Sequence, residues 1–123
     1  MATVALTAES FTQALADNDI VLVDFWAEWC GPCRAFAPIY EKVSDAHPDI
    51  FFGKVDTEVE QDLAGQFGIM SIPTLAIIRE RIVLFLQPGM IPEEGLANLI
   101  SQVKGLDMDE VRRSVAEQEQ AAS

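Results

Sequence analysis

The alternation of apolar and polar positions divides most of the chain into short α and β segments. Between Ala8 and Ala16, Phe11 and Leu15 recur at helical spacing behind Thr7, a residue suited to cap a helix N-terminus. Val4 to Leu6, just before, is a candidate edge strand. Ile20 to Trp26 is nearly continuous in hydrophobicity and rich in β-branched and aromatic side chains, the pattern of a strand covered on both faces and therefore central. Helical spacing returns from Cys33 to about Ala46, at Phe36, Ile39, Tyr40 and Val43, and His47-Pro48 stops it. Pro38 is expected to kink that helix.

Phe51 to Asp56 is a second buried strand, and Glu58 to about Phe67 a short helix closed by Gly68, a residue suited to a left-handed cap. Thr74 to Ile78 and Ile82 to Leu86 are strands separated by Arg79-Glu80-Arg81, a connection so short that it allows only an antiparallel hairpin. Pro92, at a first-turn position, opens a last clear helix whose face is Leu96, Leu99, Ile100 and Val103, ending at Gly105. The fold class is α/β, with a central mixed β-sheet flanked by helices on both faces. Residues 1–106 make one domain. Residues 107–123 are mostly Asp, Glu, Gln, Arg and Ala, with Met108, Val111 and Val115 as apolar anchors. They read as an acidic polar extension, either a weakly docked helix or disordered.

Composition narrows the function. The chain has 123 residues and is 50% hydrophobic, enough for one buried core without staples. Twenty acidic against eight basic residues give a net charge of −12, which repels phosphate backbones and anionic headgroups and argues against nucleic acid or membrane partners. Met1 to Ser10 lacks the pattern of an export signal, and the apolar run through Ala27 is far too short to span a bilayer. A cytoplasmic, reducing location is the expectation, where a lone cysteine pair is more often catalytic than structural.

That pair lies in Val23-Asp24-Phe25-Trp26-Ala27-Glu28-Trp29-Cys30-Gly31-Pro32-Cys33, which runs from a buried strand straight into a helix. Two cysteines two residues apart can close a small disulfide at the helix start, where free N–H groups and the helix dipole favour a thiolate on Cys30. Cys30 is then the nucleophile, at the exposed end. Cys33, a turn further in and more buried, is the resolving thiol that attacks the mixed disulfide. A structural zinc site would need about four ligands, and the chain offers these two cysteines and His47. A structural disulfide closing so small a loop contributes only about 2 kcal/mol. Redox chemistry is the stronger reading, with no metal and no bound cofactor.

Trp29-Cys30-Gly31-Pro32-Cys33 resembles the active-site sequence of the thioredoxin family, and the similarity extends over about residues 4 to 105 through Asp24, Pro38, Lys54, Ile72-Pro73-Thr74 and Gly89. The resemblance implies the thioredoxin fold and a protein-disulfide reductase that maintains cell redox homeostasis. The Cys30–Cys33 disulfide would be recharged with electrons from NADPH through thioredoxin reductase, and disulfide-containing proteins would be the substrates of a monomer. It also implies that Asp24, a carboxylate costly to bury ionised, has a raised pKa and relays the Cys33 proton with Lys54 as charge partner. Pro73 corresponds to the family's cis-proline, Ile72 would offer its backbone to an extended substrate, and Trp29, Gly31, Pro32 and Gly89 would line a shallow apolar groove.

Trp26 and the remaining Phe and Met residues are expected to be core, His47 a surface helix end, and Glu58, Glu60 and Asp62 a solvated helix face. Two departures stand out. Arg79-Glu80-Arg81 lacks the glycine of the family's hairpin turn, which predicts against a tight primed turn. Pro88 stands before Gly89 where a β-branched residue is common, which predicts a stiffer groove or an altered preference.

Overall fold

Successive side chains of a strand point to opposite faces, so the apolar run of β2 (Ile20–Trp26) feeds two separate cores. The structure, a computed structural model, describes residues 2–122. Ile20 and Leu22 of β2 pack with Phe36, Tyr40 and Val43 of α2 (Gly31–Ala46) and with Leu96, Ile100 and Val103 of α4 (Glu93–Lys104). Val21, Val23 and Phe25 pack on the other face with Phe11 and Ala14 of α1 (Ala8–Asp17) and Leu63 of α3 (Gln61–Gln66). Helices therefore cover both faces.

The remaining strands are β1 (Thr3–Ala5), β3 (Phe51–Asp56), β4 (Thr74–Arg79) and β5 (Ile82–Pro88), in the spatial order β1-β3-β2-β4-β5. β1, β3 and β2 run parallel, whereas β4 is antiparallel to both β2 and β5. The sheet is mixed and β2 is central, as its unbroken hydrophobicity predicts. The capping reading of α1 also holds: Thr7 and Ser10 form a reciprocal capping box.

Several boundaries shift. α2 starts at Gly31 with Cys30 as its N-cap, and it continues through Pro38. α3 starts only at Gln61, because Glu58 lies in a turn in which Asp56 Oδ1 accepts its N–H at 2.9 Å and Glu60 is the N-cap. Gly68 ends that region at φ +64°, the left-handed cap its position predicts. Pro92 is the N-cap of α4 rather than its first residue.

The hairpin corrects the expectation more sharply. Arg79 pairs with Ile82, leaving Glu80 and Arg81 as a two-residue loop with φ +51° and +66°, the left-handed pair that defines a tight primed turn. The turn forms without glycine because its flanks are held by tertiary contacts. Glu80 N–H donates to the Asp19 carbonyl at 2.9 Å, and the Glu80 carboxylate is paired with Arg112. Arg79 reaches Asp19 at 3.2 Å and donates to the Val103 carbonyl at 2.8 Å at the end of α4.

Residues beyond α4 form α5 (Met108–Ala122). Asp107 Oδ1 accepts the Asp109 and Glu110 N–H groups at its start, Met108 is buried, and Val111 and Val115 are half-buried.

Candidate active site

The parallel strands β2 and β3 deliver their C-terminal ends to one edge of the sheet, and β4, being antiparallel, begins there. Phe25 pairs with Thr74, so the loop after β2 and the residues before β4 meet above that edge. An interior end of an α/β sheet where chain direction changes is a natural place for a site. Here it brings Trp29, Cys30 and Gly31 beside Ile72 and Pro73.

Cys30 and Cys33 are joined as a disulfide, with Cα atoms 5.2 Å apart. The Cys33 N–H donates to Cys30 Sγ at 3.1 Å, one of the unpaired donors of the first helical turn. Cys30 Sγ also lies 3.8 Å from the Ile72 carbonyl oxygen, and the Ile72–Pro73 bond is cis. The expected contrast in exposure is absent: each cysteine is only 3% exposed. The two differ in access instead, because Cys30 borders the surface groove and Cys33 does not. A sulfur tied to its partner and lying over a carbonyl can be almost covered while still forming part of a cavity wall.

Asp24 lies on β2 two residues beyond Leu22, on the sheet face that α2 covers. It is fully buried, and neither carboxylate oxygen has a hydrogen-bond partner. Burial pushes its pKa up from 3.8 to about 7, against the opposing pull of the Lys54 charge. Lys54 is its register partner on β3. The Lys54 ammonium sits 4.9 Å over the ring of Trp26. Trp26 is therefore half-buried with a cation on its face, not a plain core residue. In the same layer, the buried Tyr40 hydroxyl donates to the Gly53 carbonyl at 2.8 Å.

The groove has a volume of about 620 Å³. Trp29, Cys30, Gly31, Pro32 and Ile72 line one side of it, and the rest of its wall comes from Thr57 just after β3, from Gln61 and Ala64 of α3, and from Ile69 and Met70 beyond α3. Gly89, exposed and at φ +102°, donates its N–H to the Pro73 carbonyl at 2.8 Å and does not line the groove itself. Pro88 lines a neighbouring depression of about 230 Å³ with Phe67, Leu86 and Met70.

Two residues that the sequence pattern did not single out lie at the groove. Glu58, expected on a solvated face, accepts a 2.7 Å hydrogen bond from Trp29 Nε1 and so ties a side chain that is 66% exposed. Met70, expected in the core, is instead 97% exposed on the groove wall. Its position in the loop before Ser71-Ile72-Pro73, outside any amphipathic pattern, was the available signal. Among the described residues no cluster of three or more His, Cys, Asp or Glu is placed to hold a metal, and no helix is long and apolar enough to cross a membrane.

Comparison with known proteins agrees with this geometry. A family model described as thioredoxin matches residues 2–102. A putative thioredoxin 2 of Streptomyces coelicolor is 58% identical over 120 residues, covering 98% of this chain and 90% of that protein. Thioredoxin of Bacillus subtilis is 38% identical over 103 residues, covering 83% of this chain and 98% of that protein. Among solved structures, a mutant thioredoxin from Halobacterium salinarum NRC-1 superposes with a TM-score of 0.79 at 29% identity, covering 85% of this chain and 93% of that one. With a mixed five-stranded sheet, helices on both faces and a cysteine pair at the helix start, the chain belongs to the thioredoxin family, whose chemistry is dithiol–disulfide exchange.

Proposed function

We propose that the chain is a general protein-disulfide reductase in which Cys30 is the nucleophile and Cys33 the resolving thiol. The observation that carries this assignment is the placement of Cys30 as N-cap of α2 and as part of the groove wall, to which Cys33 does not contribute. In the reduced protein, the Cys30 thiolate attacks one sulfur of a substrate disulfide, and the other substrate sulfur leaves as a thiolate. Cys33, deprotonated, then attacks Cys30 Sγ of the mixed disulfide and expels the second substrate thiolate. Two electrons pass from the dithiol to the substrate, and the Cys30–Cys33 disulfide remains.

Asp24 fits the role of proton acceptor for Cys33. A carboxyl titrating at about 7 is half ionised near neutral pH, so it can both take and return a proton, and Lys54 tunes that balance. Ile72 presents its backbone to an extended substrate segment beside Pro73, with Trp29, Gly31 and Pro32 around it and Gly89 holding the Pro73 carbonyl. The redox-active group is the disulfide itself. Electrons would reach it from NADPH through a thioredoxin reductase, and a cytoplasmic monomer maintaining redox homeostasis is the setting this chemistry favours.

The test is reduction of insulin disulfides by dithiothreitol, followed as turbidity. Wild type accelerates precipitation, and Cys30→Ser reduces the acceleration to the uncatalysed background. A folded wild type with no effect would remove the reductase assignment and leave the groove as a binding site.

A further inference from the structure

In a chain with a net charge of −12, none of the residues lining the groove beside Cys30 is charged. The wall opposite the disulfide carries Met70, an unbranched thioether 97% exposed to water. Met70 also borders the adjoining, mostly apolar depression formed with Phe67, Leu86 and Pro88, so it stands between two hollows that carry no charged residue. A methionine in that position is adaptable: three rotatable bonds let it lie into either hollow, and its polarizable sulfur packs well against aliphatic or aromatic groups. In the free protein this apolar surface gains nothing from the water around it.

We infer that Met70 is a specificity-determining contact, selecting protein substrates that carry a large apolar or aromatic side chain close in sequence to the disulfide cysteine under attack. The inference rests on the reductase reading above and names its preferred substrate class. Once Cys30 engages the substrate sulfur and the Ile72 backbone aligns the segment, a side chain a residue or two away reaches the uncharged wall and covers Met70. An acidic side chain there would be stripped of water with no cation on the groove lining to receive it. An apolar one is covered at no such cost.

The test uses short peptides in which one cysteine is disulfide-linked to 2-nitro-5-thiobenzoate, with leucine, serine or glutamate two residues from the cysteine. The chromophore released on reduction reports kcat/KM. The readout is the ratio of leucine to serine peptide for wild type, Met70→Gln and Met70→Leu. Wild type favours the leucine peptide about tenfold, the scale of discrimination an apolar pocket provides, and disfavours glutamate. Met70→Gln, of nearly the same shape but polar, brings the ratio down to about two, and Met70→Leu keeps it near the wild-type value. A wild-type ratio near one, or a ratio unmoved in Met70→Gln, overturns the inference. Failure of wild type to reduce any of the peptides would overturn the reductase reading itself, a result distinct from brisk reduction without preference.

Discussion

Asp24 is the residue where the balance between stability and function can be measured directly. A buried carboxyl with two unpartnered oxygens is held protonated in the folded state up to about pH 7, whereas in the unfolded chain it ionises near 3.8. Between those values the folded protein binds more protons at this site than the unfolded one, so stability is lost as pH rises through the window and the full penalty is in place above pH 7. The slope is about 1.4 kcal/mol per pH unit, which amounts to about 3 kcal/mol between pH 5 and pH 8. Asp24→Asn removes the titration. Guanidinium unfolding of the disulfide form should show the wild type losing about 3 kcal/mol more than Asp24→Asn between those two pH values. Parallel behaviour of the two proteins would mean that water reaches the carboxyl and that its pKa is ordinary. The sequence made this residue conspicuous, because an Asp inside Val23-Asp24-Phe25 has no polar neighbour on its own strand. It did not reveal that the Lys54 ammonium would lie over Trp26, since that geometry depends on how β2 and β3 pair.

At the scale of elements, the β4–β5 turn is where local chemistry and tertiary structure disagree. Two consecutive non-glycine residues at positive φ cost about 1–2 kcal/mol each, and Glu80 and Arg81 accept this because their neighbours are anchored to Asp19, Arg112 and the end of α4. Arg81 has the more positive φ of the two. Arg81→Gly should therefore raise stability by about 1 kcal/mol, the relief of strain exceeding the extra freedom glycine gives the unfolded chain, and the guanidinium midpoint reads the gain. An unchanged or lower midpoint would show that the turn carries no such strain. Sequence patterning located the hairpin and its antiparallel sense, because only connection length decides those. It missed the turn geometry, which contacts more than twenty residues away in the chain impose, as Arg112 on Glu80 illustrates. The same division holds at the site. Trp29 to Cys33 is one contiguous stretch and was readable, whereas the opposite wall from Gln61 to Met70 joins the groove only when α3 packs onto the sheet.

For the whole molecule, the open question is what α5 contributes. Its attachment is narrow: Met108 is buried, Arg112 pairs with Glu80, and most of the helix beyond Val115 faces solvent. None of its residues lines the groove, and the family model ends at residue 102, before α5 begins. The helix therefore acts as a clasp on the β4–β5 turn through Arg112, and the catalytic unit should work without it. Burial of one methionine is worth about 1.5–3 kcal/mol, and an exposed ion pair adds little. A chain ending at Leu106 should then lose about 2 kcal/mol of unfolding free energy and reduce insulin disulfides at the full-length rate. The two readouts separate the possibilities. A truncated protein that is equally stable would mean that α5 is not docked in solution. One that is folded but slow in the insulin assay would place the helix in the path of substrates or of the electron donor, and its acidic face would become the surface to examine by charge reversal.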